Sequence, residues 1–256
     1  MIEQSDTQIG DTPLAIDAGD AMHLHRPKPL HGVREIATEI GVIVVGIVIA
    51  LLGEQTVEAL HWRENVNQAE IRLRRDAREV QFDMIERIDI QGCLDRRLVS
   101  LKAQLLASGS DWKPPTPFIT SGPPAGSIYA HPMEPWPNSA WLNAVASTTS
   151  THLPEDEQSQ FSEIFAAAQR SAGDQAAEHE QSSELNLLGS PMQLTPDEKF
   201  TFLRITEAER ARNRLLAYEA RNALEAFSAL HMDIPKVRAE VHRSLFYRTC
   251  VQDGLA

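Results

Sequence analysis

Residues 40–53 read IGVIVVGIVIALLG, a run of fourteen positions without a charged side chain. Most of these residues are Val, Ile or Leu, and at 3.6 residues per turn they cover every side of a helix. A helix that packs against a soluble core on one side keeps a polar stripe on the other. This segment has no such stripe, so we predict that it belongs to a membrane-spanning helix.

The length of the run is the argument against a span. Fourteen residues rise about 21 Å as a helix, whereas the hydrocarbon core of a bilayer is ~30 Å thick. Short runs also occur as core helices, re-entrant segments and signal peptides, although no small-x-small cleavage site follows this one. A span needs its neighbours, and we predict a transmembrane helix over residues 36–60. Glu39 and Glu54 then lie near the interfaces, where a carboxylate costs less than at the centre.

Basic residues are concentrated before this helix. Arg26, Lys28 and Arg34 precede the apolar run, whereas Arg63 is the first basic residue after it. Basic residues close to a span tend to stay in the cytoplasm, so we predict that residues 22–35 form a basic cytoplasmic segment. The protein is then expected to be a single-pass protein of the bacterial inner membrane, with residues 61–256 in the periplasm.

Residues 1–21 differ from the segment that follows them. They contain five acidic and no basic residues and show no hydrophobic period, so we predict that this tail is disordered. Because the composition reverses at Met22, we hypothesise that Met22 is the natural start and the acidic tail an artefact of start-site assignment. The N-terminal mass of protein expressed from the native gene context tests this hypothesis.

The helical pattern continues beyond the membrane segment. Apolar or small residues recur about every 3.5 positions, a spacing typical of the seam of a packed or coiled helix. The series is interrupted by one polar residue, Gln91. Its members are Val66, Ala69, Leu73, Ala77, Val80, Met84, Ile88, Leu94, Leu98, Leu101 and Leu105. Charged residues four positions apart lie off the seam, as Asp83 and Arg87 do, and are expected to pair in water. We therefore predict one helix from the membrane to about residue 106.

The remainder predicts an all-α fold. Residues 111–138 hold eight of the fifteen prolines and form a Pro-rich insertion without regular helix. Helices are expected over about 139–147, 154–188 and 195–230, followed by a short last helix ending near Cys250. The third of these begins with a capping box, Thr195-Pro196-Asp197-Glu198. The predicted architecture is an N-terminal transmembrane helix continuing into a long helix, followed by an antiparallel bundle of three or four helices.

Two cysteines are present, Cys93 and Cys250. In an oxidising compartment they fit one structural disulfide that ties the last helix to the first. The alternative is two separate core residues. No C-x-x-C pattern indicates redox catalysis.

We find no catalytic pattern in the sequence. It contains no G-x-S-x-G, P-loop or G-x-G-x-x-G motif. The histidines, His131 among them, are scattered and are expected to have surface or capping roles. Carboxylate pairs such as Glu178 and Glu180 are expected on solvated helix faces. We therefore predict no catalytic residue, no metal site, no cofactor and no enzymatic activity, and the net charge of −12 argues against a nucleic-acid partner.

Small residues line one face of the apolar run. Gly46 and Ala50 form a small-xxx-small pair, which Gly53 extends. Small residues allow two membrane helices to approach closely, although the pattern is also common by chance. The face makes a parallel dimer one possible assembly, besides the contact of this helix with the lipid bilayer.

The stretch from residue 24 to residue 70 carries a family resemblance. It reads LHRPKPLHGVREIATEIGVIVVGIVIALLGEQTVEALHWRENVNQAE. This pattern resembles a family of uncharacterised bacterial single-pass membrane proteins, a domain of unknown function, with a short basic tail, one membrane helix containing G-I-x-I-A-L and a His-Trp-Arg-like stretch after it. The resemblance covers about residues 22–75. It implies location and architecture and supplies no activity.

Two functions remain open from the sequence. The first is a non-enzymatic, membrane-anchored interaction or assembly protein that works through an unidentified protein partner. The second is a sensor-like helical bundle that binds a small ligand between its helices and signals through a partner. A pocket with converging polar groups between the Pro-rich insertion and the bundle would favour the second. A dry, fully packed bundle with an exposed apolar seam would favour the first.

Overall fold

A computed structural model of the chain describes residues 32–119 and 125–252. The chain divides into two compact units, residues 1–55 and 56–256. The predictions for the acidic tail 1–21 and for residues 22–31 of the basic segment lie outside the described residues.

The first helix, α1, spans Val33–Ala107 and contains 75 residues. It confirms the long N-terminal helix expected from the sequence. Its apolar part has a mean hydropathy of 2.5, and none of that part is buried inside the protein. This helix is therefore long and apolar enough to cross a membrane, and α1 residues in the first unit such as Val42 and Ile49 are exposed.

In the described part of the second unit, the regular secondary structure is helical apart from one short pair of strands, as the all-α prediction requires. Five helices follow α1 in the described chain: α2 (Ser139–Ala146), α3 (Glu155–Leu185), α4 (Pro196–Ala229), α5 (Ile234–Val241) and α6 (Leu245–Gln252). Strands β1 (Asp111–Trp112) and β2 (Met192–Gln193) pair antiparallel. Two 3-10 turns, Thr149–His152 and Asn186–Gly189, precede and follow α3.

Long-range contacts show how the three long helices run. Arg74 of α1 lies 3.3 Å from Glu157 and Arg87 lies 2.9 Å from Glu178, so α1 and α3 point in the same direction. Arg74 also donates to the Leu230 carbonyl, just after α4, at 3.1 Å, while Asp95, further along α1, is paired with Arg210 in the first half of α4. The helix α4 is therefore antiparallel to both. The helix α3 can run in the same direction as α1 because the segment between them, residues 108–154, leads back to the end of the bundle where the second unit begins.

The core contains three hydrophobic clusters, and polar side chains separate the two larger ones. One cluster contains α1 residues from Leu73 to Met84, and the other contains those from Ile90 to Leu105. The buried polar side chains in this interval on the three long helices include Arg87, Glu178, Glu209 and Asn213. We call these four residues the polar layer.

Most of the seam predicted on α1 is buried within this chain from Leu73 onward, while Val66, Ala69 and Ile88 are half-buried. Leu73, Ala77, Val80 and Met84 are fully buried, as are the leucines at the far end of the helix. The seam therefore packs against the chain's own helices, and the described second unit leaves no continuous α1 stripe for a coiled coil with a second copy.

Local signals determine where the later helices begin. The Thr195 hydroxyl accepts from the Glu198 amide at 3.3 Å, while the Glu198 carboxylate accepts from the Thr195 amide at 2.8 Å. This is the predicted capping box of α4. The predicted last helix is instead two helices, because the chain turns at residues 242–244 and the Ser244 hydroxyl accepts from the Tyr247 amide at 3.2 Å.

The two cysteines meet as predicted. Cys93 of α1 and Cys250 of α6 form a disulfide across a sequence separation of 157 residues, with their Cα atoms 5.7 Å apart. Ile85 of α1 packs against Val237 and Val241 of α5. The disulfide and this small cluster together attach the C-terminal helices to α1.

Candidate functional site

A buried ion pair lies at the centre of the polar layer. Two hydrogen bonds join the Arg87 guanidinium of α1 to the Glu178 carboxylate of α3, at 2.9 Å from Nη1 to Oε1 and 2.5 Å from Nη2 to Oε2. Nη2 also donates to the Pro132 carbonyl at 3.0 Å. The side chains are 1% and 0% exposed. Neither charged group can be solvated by water at such a site, so each is stabilised by its contact with the other.

His131 extends this network toward the surface. Its Nδ1 lies 3.1 Å from Glu178 Oε2 and 3.0 Å from the Pro132 carbonyl, and its Nε2 lies 3.2 Å from the Ser182 hydroxyl. Burial lowers the pKa of His131, although Glu178 opposes this effect. We assign a neutral imidazole with its proton on Nδ1, because the two nearest atoms facing Nδ1 are acceptors, while the donor Arg87 Nη2 lies further away at 3.4 Å.

Ser182 contacts His131, which in turn contacts Glu178, and a serine hydrolase triad has the same sequence of contacts. The Ser182 hydroxyl also lies 3.0 Å from the His179 carbonyl, one helical turn earlier. Its single proton is therefore shared between two acceptors. The Glu178 carboxylate is already bound by Arg87. These contacts match a satisfied structural network better than an activated nucleophile.

Several buried polar groups lack a hydrogen-bond partner among the described residues, among them the Tyr129 hydroxyl and the Glu209 carboxylate, and both of these residues are 0% exposed. The Arg212 guanidinium lies 3.7 Å from Glu209 Oε1, beyond hydrogen-bonding distance. Burial, followed by the charge of Glu178, raises the pKa of Glu209 to about 8. The same two causes raise the pKa of Tyr129 well above its usual value. Glu209 is therefore protonated at neutral pH.

Residues 127–137 of the Pro-rich insertion form an extended segment that we call the strap. Two amide side chains on the α3 side hold its backbone. Asn186 accepts from the Ile128 and Tyr129 amides at 3.0 and 3.2 Å and donates to the Tyr129 carbonyl at 2.9 Å. Gln175 accepts from the Glu134 amide at 3.2 Å and donates to its carbonyl at 2.7 Å. The strap therefore runs antiparallel to α3.

Trp136 anchors the far end of the strap. Its backbone φ is +47°, a left-handed conformation that is unfavourable for a large side chain. The side chain is 4% exposed, and its indole N–H donates to Gln175 at 2.9 Å. Burial of the indole and this hydrogen bond offset the cost of the backbone conformation.

A cleft of about 690 Å³ lies between the strap and α3. We call it the strap cleft. Its walls come from the strap, the end of α3 with the following turn, and α6: Ser127, Tyr129, Ala130, His131, Met133, Glu134, His179, Ser182, Ser183, Asn186 and Phe246. Hydroxyls, imidazoles and one carboxylate thus converge with apolar side chains. A cleft of this volume matches the size of small-molecule sites.

Behind Glu134 lie two buried carboxyl groups of α1. Burial, followed by the charge of Glu134, raises the pKa of Asp83 to about 9. Burial raises the pKa of Glu86 to about 7, and Glu134 adds to this effect. Asp83 Oδ2 and Glu86 Oε1 have no hydrogen-bond partner in the described chain. Three carboxyl groups therefore share a region that lacks a matching number of cations.

The Cys93–Cys250 disulfide positions one wall of the strap cleft. It holds α6 against α1, and Phe246 of α6 lines the cleft. The sequence predicted the pairing of the cysteines but gave no indication that it fixes an aromatic wall.

The small-residue face in the apolar part of α1 has no partner among the described residues of the first unit. A side chain added at Gly46 or Gly53 would meet no atom within 4 Å, and Ala50 is exposed. The face is therefore open in the single chain, and dimerisation through it stays a prediction. In the second unit, Trp62 of α1 stacks on His152 with ring centroids 3.9 Å apart.

Three interpretations of polar residues were wrong. Asp83 and Arg87 do not pair in water, because they are 4% and 1% exposed and Arg87 binds Glu178. His131 is buried rather than superficial, and Glu178 does not lie on a solvated face. Arg87 lies 44 residues before His131 and 91 residues before Glu178 in the sequence. Helical periodicity carries no information about contacts over such separations.

Comparison of the chain with protein-family models, with curated proteins and with solved structures finds no match. The resemblance noted over residues 22–75 therefore stays a prediction. Among the described residues, no group of three or more His, Cys, Asp or Glu side chains is arranged to hold a metal ion.

The polar layer predicts non-additive effects of substitution. Arg87→Met or Glu178→Leu alone leaves a buried charge unpaired and is expected to lower the free energy of unfolding by about 3–5 kcal/mol. The double variant removes both charges and is expected to cost less than either single change. Urea unfolding in detergent micelles measures all three. The exposed pair Arg78–Glu240 serves as the control, since Arg78→Met is expected to cost at most about 1 kcal/mol. Additive losses would contradict this account.

The raised pKa of Glu209 predicts a pH dependence. The folded state keeps the Glu209 proton up to about pH 8, whereas the unfolded chain loses it near the ordinary glutamate pKa of 4.5. The folded state therefore binds more protons in this interval, and stability falls as the pH rises through it. Glu209→Gln is expected to reduce this fall and to be more stable than the parent at pH 8 by at least about 1.4 kcal/mol, the equivalent of one pKa unit.

Urea unfolding at pH 5 and pH 8 tests this expectation, with the exposed Glu225→Gln as the matched control. The parent and Glu209→Gln should differ little in stability at pH 5, because the folded state then contains a neutral group at position 209 in both proteins. An equal fall for the parent and Glu209→Gln would show that Glu209 is ionised in the folded state.

Proposed function

We propose that this chain is a membrane-anchored protein whose folded unit binds a small molecule in the strap cleft. The observation that carries the proposal is the convergence of Ser127, His131, Glu134 and Ser183 on one cleft next to apolar side chains. Ligand sites in proteins combine such an apolar wall with a few placed polar groups. The seam of α1 is covered by the chain's own helices, which favours ligand binding over an assembly built on that seam.

The proposed arrangement in the cell is single-pass, with the N-terminus in the cytoplasm and the folded unit in the periplasm of a bacterium. Two observations support it. Basic residues precede the apolar part of α1, and disulfides such as Cys93–Cys250 persist in oxidising compartments. A ligand-bound state would then act through a partner protein rather than through catalysis.

A cleft-filling substitution tests the site. Ser183 lines the strap cleft and is exposed on α3, so Ser183→Trp fills the cleft without disturbing the core. Ser228→Trp, at an exposed position of α4 outside the cleft, is the matched control. Saturation-transfer NMR of mixed water-soluble fragments (acids, amines, sugars and nucleosides) with the full chain in micelles should detect binders of the parent and of Ser228→Trp. Ser183→Trp should lose them.

Equal signals from the two tryptophan variants, or no binder of the parent at all, would contradict the proposed site. A fluorophosphonate probe addresses catalysis separately. Covalent labelling of Ser182, lost in Ser182→Ala, would show an activated serine and would contradict the proposal that the protein is not an enzyme.

A further inference from the structure

The charge of the strap cleft has one sign. Among the described residues that line it, Glu134 is the one carboxylate and none is Lys or Arg. Burial lowers the pKa of the lining His131 imidazole and so favours its neutral form. A ligand that enters the cleft therefore meets a negative charge without a lining guanidinium or ammonium group to balance it.

Nearby arginines are committed to other groups. Arg87 binds Glu178 and the Pro132 carbonyl. Arg78 binds Glu240 at 2.7 Å. No salt bridge joins Glu134 to a basic side chain in the described chain, and Arg75 and Arg78 share a second cleft with it. The Glu134 carboxylate lies within hydrogen-bonding reach of the Asp83 and Glu86 carboxyl groups, so a ligand in the strap cleft would share it with them.

The buried carboxyl groups behind Glu134 strengthen this preference. Asp83 and Glu86 are 4% and 2% exposed, and each keeps one oxygen without a hydrogen-bond partner. Both groups interact with Glu134. With its pKa raised to about 9, Asp83 is mostly protonated at pH 7, so Glu134 carries most of the negative charge there. A positive charge bound at Glu134 would favour ionisation of Asp83 and Glu86, whereas a second negative charge would oppose it.

The walls of the cleft suit an apolar body attached to that charge. Phe246 of α6 lines one side, and Met133 and Ala130 of the strap line another. An aromatic face also attracts a cation directly, and a methionine side chain adapts to ligands of different shape. The cleft thus offers a carboxylate together with apolar and aromatic contacts.

We propose that the strap cleft binds an organic cation, with an amine or ammonium head at Glu134 and an apolar body against Phe246 and Met133. This inference rests on the proposed function, since it names the class of ligand that the cleft takes. A carboxylic acid of the same shape would place two negative charges together. A neutral analogue would fill the apolar walls but leave the Glu134 carboxylate without a charged partner.

Three probes of matched shape separate these possibilities: 3-phenylpropylamine, 3-phenylpropan-1-ol and 3-phenylpropanoate. NMR titration of each into the full chain in neutral detergent micelles at pH 7 gives the three affinities. The amine should bind at least about tenfold more tightly than the alcohol, which is the smaller end of the range for a hydrogen bond to a charged group. The acid should bind most weakly.

Glu134→Gln should remove the advantage of the amine while leaving the affinity for the alcohol unchanged. The strap is held through the backbone of Glu134 rather than through its carboxylate, so this variant should keep the fold. Glu180→Gln, at an exposed position of α3 outside the cleft, is the matched control and should behave as the parent.

Similar affinities for all three probes, or preference for the acid, would overturn the organic-cation inference and leave the strap cleft as a binding site. Preference for the amine that survives in Glu134→Gln would overturn the role of Glu134. Failure of all three probes to bind would also overturn the inference, while the fragment experiment with Ser183→Trp decides the proposed function independently.

Discussion

The buried contact between the Arg87 guanidinium and the Glu178 carboxylate is the constraint on which the folded unit depends. It lies where the two hydrophobic clusters meet and involves α1, α3 and the Pro132 carbonyl of the strap. Two ions deprived of water are stable only in the geometry that pairs them. The register of α1 against α3 is therefore restricted, and the position of the strap is restricted with it.

The strap cleft follows from this constraint. Arg87 holds the strap at Pro132, and the amides of Asn186 and Gln175 hold it on either side of that point. Between these attachments His131 turns inward to Glu178, while Met133 and Glu134 line the cleft. The disulfide brings Phe246 to the opposite wall. Structural polar groups and cleft-lining groups are thus neighbours on the same eleven-residue segment, 127–137.

Local and periodic features could be predicted from the sequence. The seam from Leu73 to Leu105 is buried as its spacing indicates, and the capping box at Thr195 opens α4. The pairing of Cys93 with Cys250 followed from the number of cysteines and the expected compartment. The buried polar network could not be predicted from the sequence. Asp83 precedes Arg87 by four residues, and an ion pair on an exposed helix face has the same spacing. Nothing local shows that Glu178 lies opposite Arg87, or that side-chain amides of the α3 region hold the strap.

The location of the folded unit relative to the membrane is the claim on which the functional account rests, and cysteine accessibility in spheroplasts tests it directly. Asn222→Cys places a reporter on an exposed position of α4, and His25→Cys places one before the apolar segment. A membrane-impermeant maleimide should label the Asn222 reporter in intact spheroplasts and the His25 reporter only after lysis. The native pair, Cys93 and Cys250, should stay unlabelled in both samples because it is oxidised. Labelling of the His25 reporter in intact spheroplasts, with the Asn222 reporter protected until lysis, would reverse the topology and contradict the account.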